Sequence, residues 1–271
     1  MSEQIQIIDS KNIKARVIIA VAVIIALAFG WYSIRWQLGN MLAELTVATD
    51  PNAKVIADFA VSLAPSDPIA NWFAASTETD IFTPEKLEKS LLANEATVKL
   101  APFDFRWWIQ LGRAYEQAEK PEKAEKALLR AIELAPHYTF PHWQLGNFYL
   151  RQGRDNEAFV ELKKAADNNV VYREQVFSIA WDFYEKDKAR LEQLAGETSE
   201  GRAGLAKFYA SKEQAEDSLR IWNSLSTEEK QKHEEIAKII AQALYDKRFF
   251  RSSVKFVSQL GIESNAKPES I

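Results

Sequence analysis

The stretch "WIQLGRAYEQAEKPEKAEKALLRAIELAP", residues 108–136, decides the fold of this chain. A second stretch, "HWQLGNFYLRQGRDNEAFVELKKAADNNV" at residues 142–170, repeats its pattern 34 residues further along. The positions that recur are a leucine, a glycine, a tyrosine and two alanines: Leu111 and Leu145, Gly112 and Gly146, Tyr115 and Tyr149, Ala124 and Ala158, Ala131 and Ala165. A period of this length is typical of stacked helix pairs, because one pair alone cannot bury its apolar face.

Apolar and charged residues between 122 and 134 alternate with the period of an α-helix. Their apolar members form one stripe, which consists of Ala124, Ala127, Leu128, Ala131 and Leu134, and charged residues occupy the opposite face. Pro136 ends that helix because proline lacks the N–H that would continue it. Similar endings, "AVSLAP" at 60–65 and "TVKLAP" at 97–102, indicate that the repetition begins well upstream.

These positions resemble the tetratricopeptide repeat (TPR) family. The matching residues in the first copy are Trp108, Leu111, Gly112, Tyr115, Ala124, Leu128, Ala131 and Pro136. The second copy departs from the pattern at His142 and Val170, and a weaker copy near 205–222 departs at Leu225. The segment 173–198 has a short second helix, and 232–260 reads as two amphipathic helices. The resemblance implies an all-α fold, a TPR-type α-solenoid of helix pairs that follows an N-terminal transmembrane helix.

Small residues at the recurring positions have a physical purpose. Gly112 and Ala124 have no bulk at the crossing of the two helices, so we expect the closest helix–helix approach there. Tyr115 and Leu128 then fill the space beside that crossing.

The N-terminal region differs from the rest of the chain. Residues Val17 to Ile34 carry no charge over 18 residues, which is about 27 Å of helix and close to the hydrocarbon thickness of a bilayer. Basic residues precede this run and only Arg35 follows it closely, which predicts a cytoplasmic N-terminus and an extracytoplasmic body. Aromatic residues at its end favour the membrane–water interface. The alternative is a cleaved signal peptide, because Ala26-Leu27-Ala28 has the A-x-A form.

The predicted organisation has six segments. They are a cytoplasmic tail (1–16), a transmembrane helix (17–36), divergent TPR-like helices (37–104), two strong repeats (105–172), further divergent TPR-like helices (173–262) and a flexible tail (263–271).

Composition and motifs argue against several functional classes. The net charge is −4 and both signs are mixed along the chain, so the sequence shows no basic face of the kind that nucleic-acid binding needs. The sequence contains no cysteine. The segment 196–203 resembles a phosphate-binding loop but lacks its lysine and hydroxyl, and Ser252 to Lys255 matches S-x-x-K without companion motifs. The sequence therefore predicts no catalytic residue, no cofactor and no metal site.

In the family that the chain resembles, the first helices of successive repeats line a concave groove that binds peptides or proteins. The residues in the corresponding register are Arg106, Ile109, Arg113, Gln117, Phe140, Trp143, Asn147, Arg151 and Lys207. We expect the arginines to share one wall with the aromatic residues. Guanidinium groups beside a tryptophan suit an acidic or C-terminal peptide with an apolar anchor, and Trp143 is the expected hot spot.

The sequence thus predicts a membrane-anchored scaffold that binds a partner protein or peptide, of the kind found in bacterial envelope assemblies. The alternative is an accessory or regulatory subunit of a membrane enzyme or of an export or polysaccharide machinery. A hydrolase is disfavoured because no constellation of nucleophile, base and oxyanion donors is present.

Overall fold

Helices account for all of the regular structure in the computed structural model, which describes residues 12–77 and 83–259. Fifteen α-helices lie in these ranges, and neighbours in sequence pack against each other as helix pairs. The all-α fold of helix pairs that the sequence predicts is therefore confirmed. The chain divides into two compact units, Met1–Leu134 and Ala135–Ile271, which are described in turn. In each pair we call the first helix A and the second helix B.

Unit 1 contains three helix pairs. Its helices are α1 (Ile13–Leu45), α2 (Ala53–Leu63), α3 (Pro68–Thr77), α4 (Pro84–Leu100), α5 (Phe105–Gln117) and α6 (Pro121–Leu134). The A helices are α1, α3 and α5. The recurring Leu-Ala-Pro ends α2 and α4, since the chain leaves the helix at the alanine and proline cannot continue it. An aspartate then starts the next A helix: Asp67 accepts from the N–H of Ala70 at 2.8 Å, and Asp104 from that of Arg106 at 3.0 Å.

The first helix is longer than the sequence analysis predicts. Helix α1 begins at Ile13, inside the predicted tail, and continues without a break to Leu45, nine residues past the predicted end of the span at 36. Only Gly39 and Ala43 of this helix are buried, so its last turns pack on the repeats. The 18-residue apolar window in α1 is wholly unburied. The helix is long and apolar enough to cross a membrane.

Gly112 lies where helices α5 and α6 approach each other closely. A Cβ built on this glycine would lie 2.8 Å from Cγ of Leu128 and 3.3 Å from the carbonyl oxygen of Ala124. Ala124 and Leu128 are themselves buried. The expected close approach is therefore present, and no larger residue fits at Gly112 unless Leu128 moves.

Unit 2 contains the remaining nine helices of the described ranges. They are α7 (Thr139–Arg151), α8 (Asp155–Asn168), α9 (Val170–Phe183), α10 (Lys188–Ala195), α11 (Ser199–Ser211), α12 (Ala215–Asn223), α13 (Thr227–Lys232), α14 (Glu234–Asp246) and α15 (Phe250–Gln259). Gly146 repeats the geometry of Gly112, since a Cβ there would lie 2.7 Å from Cγ of Leu162 and 3.1 Å from the carbonyl of Ala158. Helix α10 has only eight residues, as the sequence predicts.

The second half of unit 2 departs from regular pairing. Helix α12 ends at Asn223, and the buried Leu225 follows it where the family has a small alanine. The short helix α13 is then inserted before α14, and Ser226 starts it with a capping box. The stretch 196–203 forms the turn between α10 and α11 together with the start of α11, because Gly196 caps α10 and Thr198 caps α11.

A buried arginine joins three helices of unit 2. Arg173 is 8% exposed, and its guanidinium donates to the main-chain carbonyls of Ala166 and Asp167 at 3.1 Å each and of Glu200 at 3.3 Å. Burial lowers the pKa of Arg173 from its usual value. Gly204 leaves room for this side chain, since a Cβ there would lie 2.8 Å from Cδ of Arg173.

The turns from an A helix to its B helix share an unusual backbone conformation. One or two residues adopt a positive φ in each of five such turns, and only one of these residues, Gly153, is a glycine. The others are Glu119, Glu185, Lys186, Glu213 and Arg248, with φ between 50° and 67°. This left-handed region is disfavoured for side chains with a Cβ.

Candidate partner-binding surface

Helix α5 carries four of the residues that the sequence places in a binding groove. Arg106, Ile109, Arg113 and Gln117 follow one another at helical spacing, so they occupy one side of the helix. Arg106, Arg113 and Gln117 are exposed, whereas Ile109 is completely buried. The expectation that Ile109 faces an open groove is therefore wrong. Its aliphatic side chain is part of the core and cannot touch a partner without repacking.

Arg106 is already paired within its own helix turn. Its Nη2 lies 2.6 Å from Oδ2 of Asp104, and its Nε donates to the same carboxylate at 2.9 Å. This bidentate bond lowers the pKa of Asp104 and raises that of Arg106. Since the charge of Arg106 is largely neutralised by the residue that caps α5, it contributes less to the recognition of an anion than an unpaired arginine would.

A cleft in unit 1 contains the other two residues. It lies between α3, α4 and α5 and has a volume of about 200 Å³. Its lining residues are Trp72, Ala75, Ser76, Lys86, Leu87, Ser90, Asn94, Gln110, Arg113, Ala114 and Gln117. Because α3 and α5 are successive A helices, the cleft lies on the A-helix side of this unit, where the sequence predicts the groove.

The charged residues that line this cleft in the described part of the chain are both basic. Lys86 and Arg113 are its ionisable lining residues, and no carboxylate lines it among the residues that the structure describes. Within those same ranges, no hydrogen bond or ion pair engages the guanidinium of Arg113, which is exposed. Amides and hydroxyls complete the polar lining, and Trp72 supplies an aromatic surface next to Trp107, with ring centroids 5.9 Å apart.

A tyrosine behind the cleft holds α5 against α4. The hydroxyl of Tyr115 donates to Oε1 of Glu95 at 2.7 Å, and partial burial together with this bond raises the pKa of Tyr115 to about 12. Tyr115 is therefore neutral at physiological pH, and its hydroxyl keeps the proton with which it bonds to Glu95. The recurring tyrosine of the repeat thus fixes the helices that shape the cleft.

Unit 2 carries the other predicted groove residues, and helix α7 holds four of them: Phe140, Trp143, Asn147 and Arg151. Trp143 is half-buried and packs on Tyr172 of α9, with ring centroids 5.1 Å apart. Asn147 donates to the carbonyl of Trp143 at 2.8 Å. Phe140 and Arg151 are exposed. Phe140 and Arg151 are therefore the exposed members of this set on α7, while its tryptophan is partly occupied by packing.

Lys207 lies on α11 and is paired with a neighbouring A helix. Its ammonium forms an ion pair with Glu174 of α9. The lysine side chain is 29% exposed, and the glutamate is more exposed at 46%. This pair offsets the charge of Lys207, so Lys207 does not present a free cation there.

Sequence reasoning missed the α3 and α4 residues of the cleft, chiefly Trp72, Lys86 and Asn94. The weaker repeat at 53–102 lacks the glycine and tyrosine that identify the stronger copies. A usable signal exists, because Leu-Ala-Pro-x-Asp occurs at both 63–67 and 100–104, which are 37 residues apart. At the same spacing, Trp72 occupies the position that corresponds to Ile109.

Two histidines have conspicuous partners. His142 is buried, with Nδ1 2.6 Å from Oε2 of Glu161 and Nε2 3.1 Å from the carbonyl of Pro136. His233 Nε2 lies 3.1 Å from Oγ of Ser199, but no carboxylate bonds to its other nitrogen in the described ranges. In the part of the chain that the structure describes, no group of three or more acidic, histidine or cysteine side chains could hold a metal ion.

Helix α5, which lines one side of the cleft, forms with α6 a known class of repeat. Residues 105–138 match the family model described as "Tetratricopeptide repeat". Residues 105–138 therefore form a TPR, and such repeats support protein–protein interaction as the general function.

Curated and solved proteins match parts of this chain. A peroxisomal targeting signal receptor from Pichia angusta is 34% identical over 79 residues, which covers 29% of this chain and only 14% of that receptor. MamA from Desulfovibrio magneticus RS-1 is 26% identical with a TM-score of 0.41, covering 51% of this chain and 75% of that structure. The pilF protein of Pseudomonas aeruginosa is 16% identical with a TM-score of 0.46, covering 76% and 97%.

Proposed function

We propose that this protein is a membrane-anchored scaffold of an envelope assembly, and that it binds a carboxylate-bearing segment of a partner protein in the cleft of unit 1. The TPR at 105–138 supports protein binding in general. The observation that carries the finer proposal is the cleft itself, which Arg113 lines together with no carboxylate of the described residues.

The size of the cleft fits a short part of a peptide. Its volume of about 200 Å³ lies below the range typical of pockets for drug-sized molecules. One or two side chains of an extended segment fill such a volume. A carboxylate, either of an acidic side chain or of a chain end, pairs with Arg113, and an apolar neighbour packs on Trp72.

Binding of fluorescent peptides to the full chain in detergent tests the proposal. A peptide library with free C-termini is first selected on the wild-type protein, and the best peptide is then compared with its C-terminally amidated and its Asp/Glu-to-Asn/Gln forms by anisotropy. We expect the selected peptides to be rich in carboxylates. Their affinity should fall with added salt, because exposed charge pairs are screened over about 8 Å at physiological ionic strength.

Two charge reversals in unit 1 distinguish binding in the cleft from a general effect of net charge. Arg113→Glu should weaken binding about 10- to 100-fold, which corresponds to the loss of one charge-assisted bond. Lys126→Glu changes the net charge equally on the exposed side of α6 and should leave the affinity nearly unchanged. Equal losses in both variants, or selected peptides without carboxylates, would refute the cleft as the binding site.

The second part of the proposal is the anchor. Helix α1 supplies a span of adequate length and hydropathy, and the charge bias favours a cytoplasmic N-terminus with the repeats on the other side. Because the chain has no cysteine, a single Ser211→Cys variant reports topology cleanly. In cells whose outer envelope is permeabilised and whose inner membrane is intact, a membrane-impermeant maleimide should label this cysteine. Labelling only after the inner membrane is disrupted would contradict the orientation.

A further inference from the structure

The junction between the apolar run and the repeats is a continuous helix rather than a linker. Helix α1 includes both the uncharged residues 17–34 and the buried Gly39 and Ala43. At Gly39 the packing on α2 is direct, since a Cβ there would lie 2.6 Å from Cβ of Ala64 and 2.7 Å from the carbonyl oxygen of Ala60. The same helix therefore serves as the apolar span and as the first A helix of unit 1.

Polar contacts fix this junction on both sides of Gly39. Arg35, the first charged residue after the apolar run, donates to the carbonyl of Ser62 at 2.9 Å. Asn40 donates to the buried carboxylate of Asp67 at 3.0 Å. Both acceptors lie at the end of α2 or in the turn that follows it. That turn is therefore held beside the first helical turns that leave the apolar run.

The depth of the turn follows from helix geometry. Gly39 is five residues beyond Ile34, which places it about 7.5 Å past the end of the uncharged run. The headgroup layer on one side of a bilayer is about 5–8 Å thick, half the difference between the full thickness and the hydrocarbon core. The turn from α2 to α3 thus lies at the level of the headgroups when α1 crosses the membrane.

The chemistry of this part of unit 1 suits that position. We define the proximal edge as the two B-to-A turns, Ala64–Asp67 and Ala101–Asp104, which lie on the same edge because each helix pair returns the chain to it. Residues 59–66 carry no charge. Phe103, at the second turn, is 81% exposed. By contrast, the A-to-B turn at the opposite edge carries Glu119 and Lys120.

We propose that the proximal edge rests in the lipid headgroup layer of the membrane that α1 crosses, and that the ring of Phe103 inserts into it. This inference rests on the anchor of the proposed function. The occupant is lipid because the edge is joined to the span by one helix, lies at headgroup depth and presents an uncharged segment and an exposed aromatic ring. Unit 1 is therefore held at a fixed height and orientation on the bilayer.

Fluorescence quenching tests this placement in the full chain. Four single-cysteine variants, Leu27→Cys, Ser66→Cys, Phe103→Cys and Lys120→Cys, are labelled with an environment-sensitive fluorophore and placed in phosphatidylcholine nanodiscs. Each is compared with and without lipids that carry a nitroxide on the headgroup or on the acyl chain. We expect strong acyl-chain quenching of the label at position 27, strong headgroup quenching of the labels at positions 66 and 103, and little quenching at position 120.

The outcomes separate the inference from the anchor. Quenching at position 27 with equally weak quenching at positions 66, 103 and 120 would overturn the proximal edge and leave the anchor standing. Absence of quenching at position 27 would overturn the anchor as well. A Gly-Ser-Gly insertion between Trp36 and Gln37 decouples the span from the repeats, so quenching at positions 66 and 103 should fall while that at position 27 persists. Unchanged quenching would overturn the role of the continuous helix.

Discussion

The effect of Gly112→Ala on the free energy of unfolding should depend on Leu128, the residue that Gly112 faces. It should change sign when Leu128 is shortened to alanine. The added Cβ would lie 2.8 Å from Cγ and 2.9 Å from Cδ2 of Leu128, and 3.3 Å from a main-chain oxygen. Overpacking of this kind costs about 1–3 kcal/mol. Against this, alanine is about 1 kcal/mol better than glycine inside a helix. The net loss of stability in Gly112→Ala should therefore be about 0–2 kcal/mol.

The second substitution removes the atoms that cause the clash. Leu128→Ala alone should cost about 2–5 kcal/mol, because a buried leucine is lost and a cavity remains. In that background the new Cβ of Gly112→Ala no longer meets Cγ and Cδ2 of the leucine, and only the 3.3 Å contact with the carbonyl oxygen of Ala124 remains. The helix propensity then outweighs that contact, and Gly112→Ala should stabilise the protein by up to about 1 kcal/mol. The coupling between the two positions is thus about 1–3 kcal/mol and favourable.

Urea unfolding of the full chain in detergent micelles, followed by far-UV circular dichroism, measures the four members of the cycle. Since the chain has two compact units, the shift of the transition that responds to Leu128→Ala is the quantity to compare. The matched cycle in unit 2 uses Gly146→Ala and Leu162→Ala, where the same contacts are 2.7 and 2.9 Å. If Gly112→Ala stabilises both backgrounds equally, there is no close approach at this position and the register is wrong.

Three further perturbations test contacts described above. Arg173→Met leaves three main-chain carbonyls without their donor and should lower the stability of unit 2 by about 2–4 kcal/mol in thermal unfolding, whereas an exposed control such as Lys164→Met should have little effect. The hydrogen bond from Lys232 holds the pKa of Glu200 at about 2, below the usual 4.5, so the docking of α13 should weaken as the pH falls from about 4.5 to about 2. Hydrogen exchange of α13 against pH reports this, and Glu200→Gln should remove the dependence. Asp67→Ala removes the acceptor of the first turn of α3 and should cost about 1–2 kcal/mol, measured by the same urea unfolding.

The helix pairs of the stronger repeats could be predicted because small residues at a helix crossing leave a mark in the sequence. Gly112 and Gly146 recur at the repeat period, and in each case a Cβ would lie within 2.9 Å of two carbons of the leucine that faces it. The α5 side of the cleft could be predicted for the same reason, whereas its α3 and α4 sides could not. Arg113 and Gln117 follow from the register of α5, which fixes the side of the helix on which they lie.

The remaining features depend on tertiary packing that no local pattern encodes. Ile109 shares the register of Arg113, yet its burial is set by the helices around it. The apolar run ends at Ile34 because Arg35 is charged, but charge does not end a helix, so the continuation of α1 to Leu45 is invisible in hydropathy. The pairing of Lys207 with Glu174 likewise joins residues 33 apart on separate helices.

The A-to-B turns have a consequence for how this protein can be stabilised. Four of them hold a non-glycine residue with φ between 50° and 67°: Glu119, Glu185 with Lys186, Glu213, and Arg248. Each such residue costs about 1–2 kcal/mol relative to a relaxed backbone, and glycine recovers part of this after its larger unfolded-state entropy is subtracted. Glycine at these turns should therefore raise thermal resistance by a few tenths of a kcal/mol or more per site. None of the four turns lines the cleft of unit 1. A more thermostable variant for studies of partner binding can therefore be made without altering that cleft.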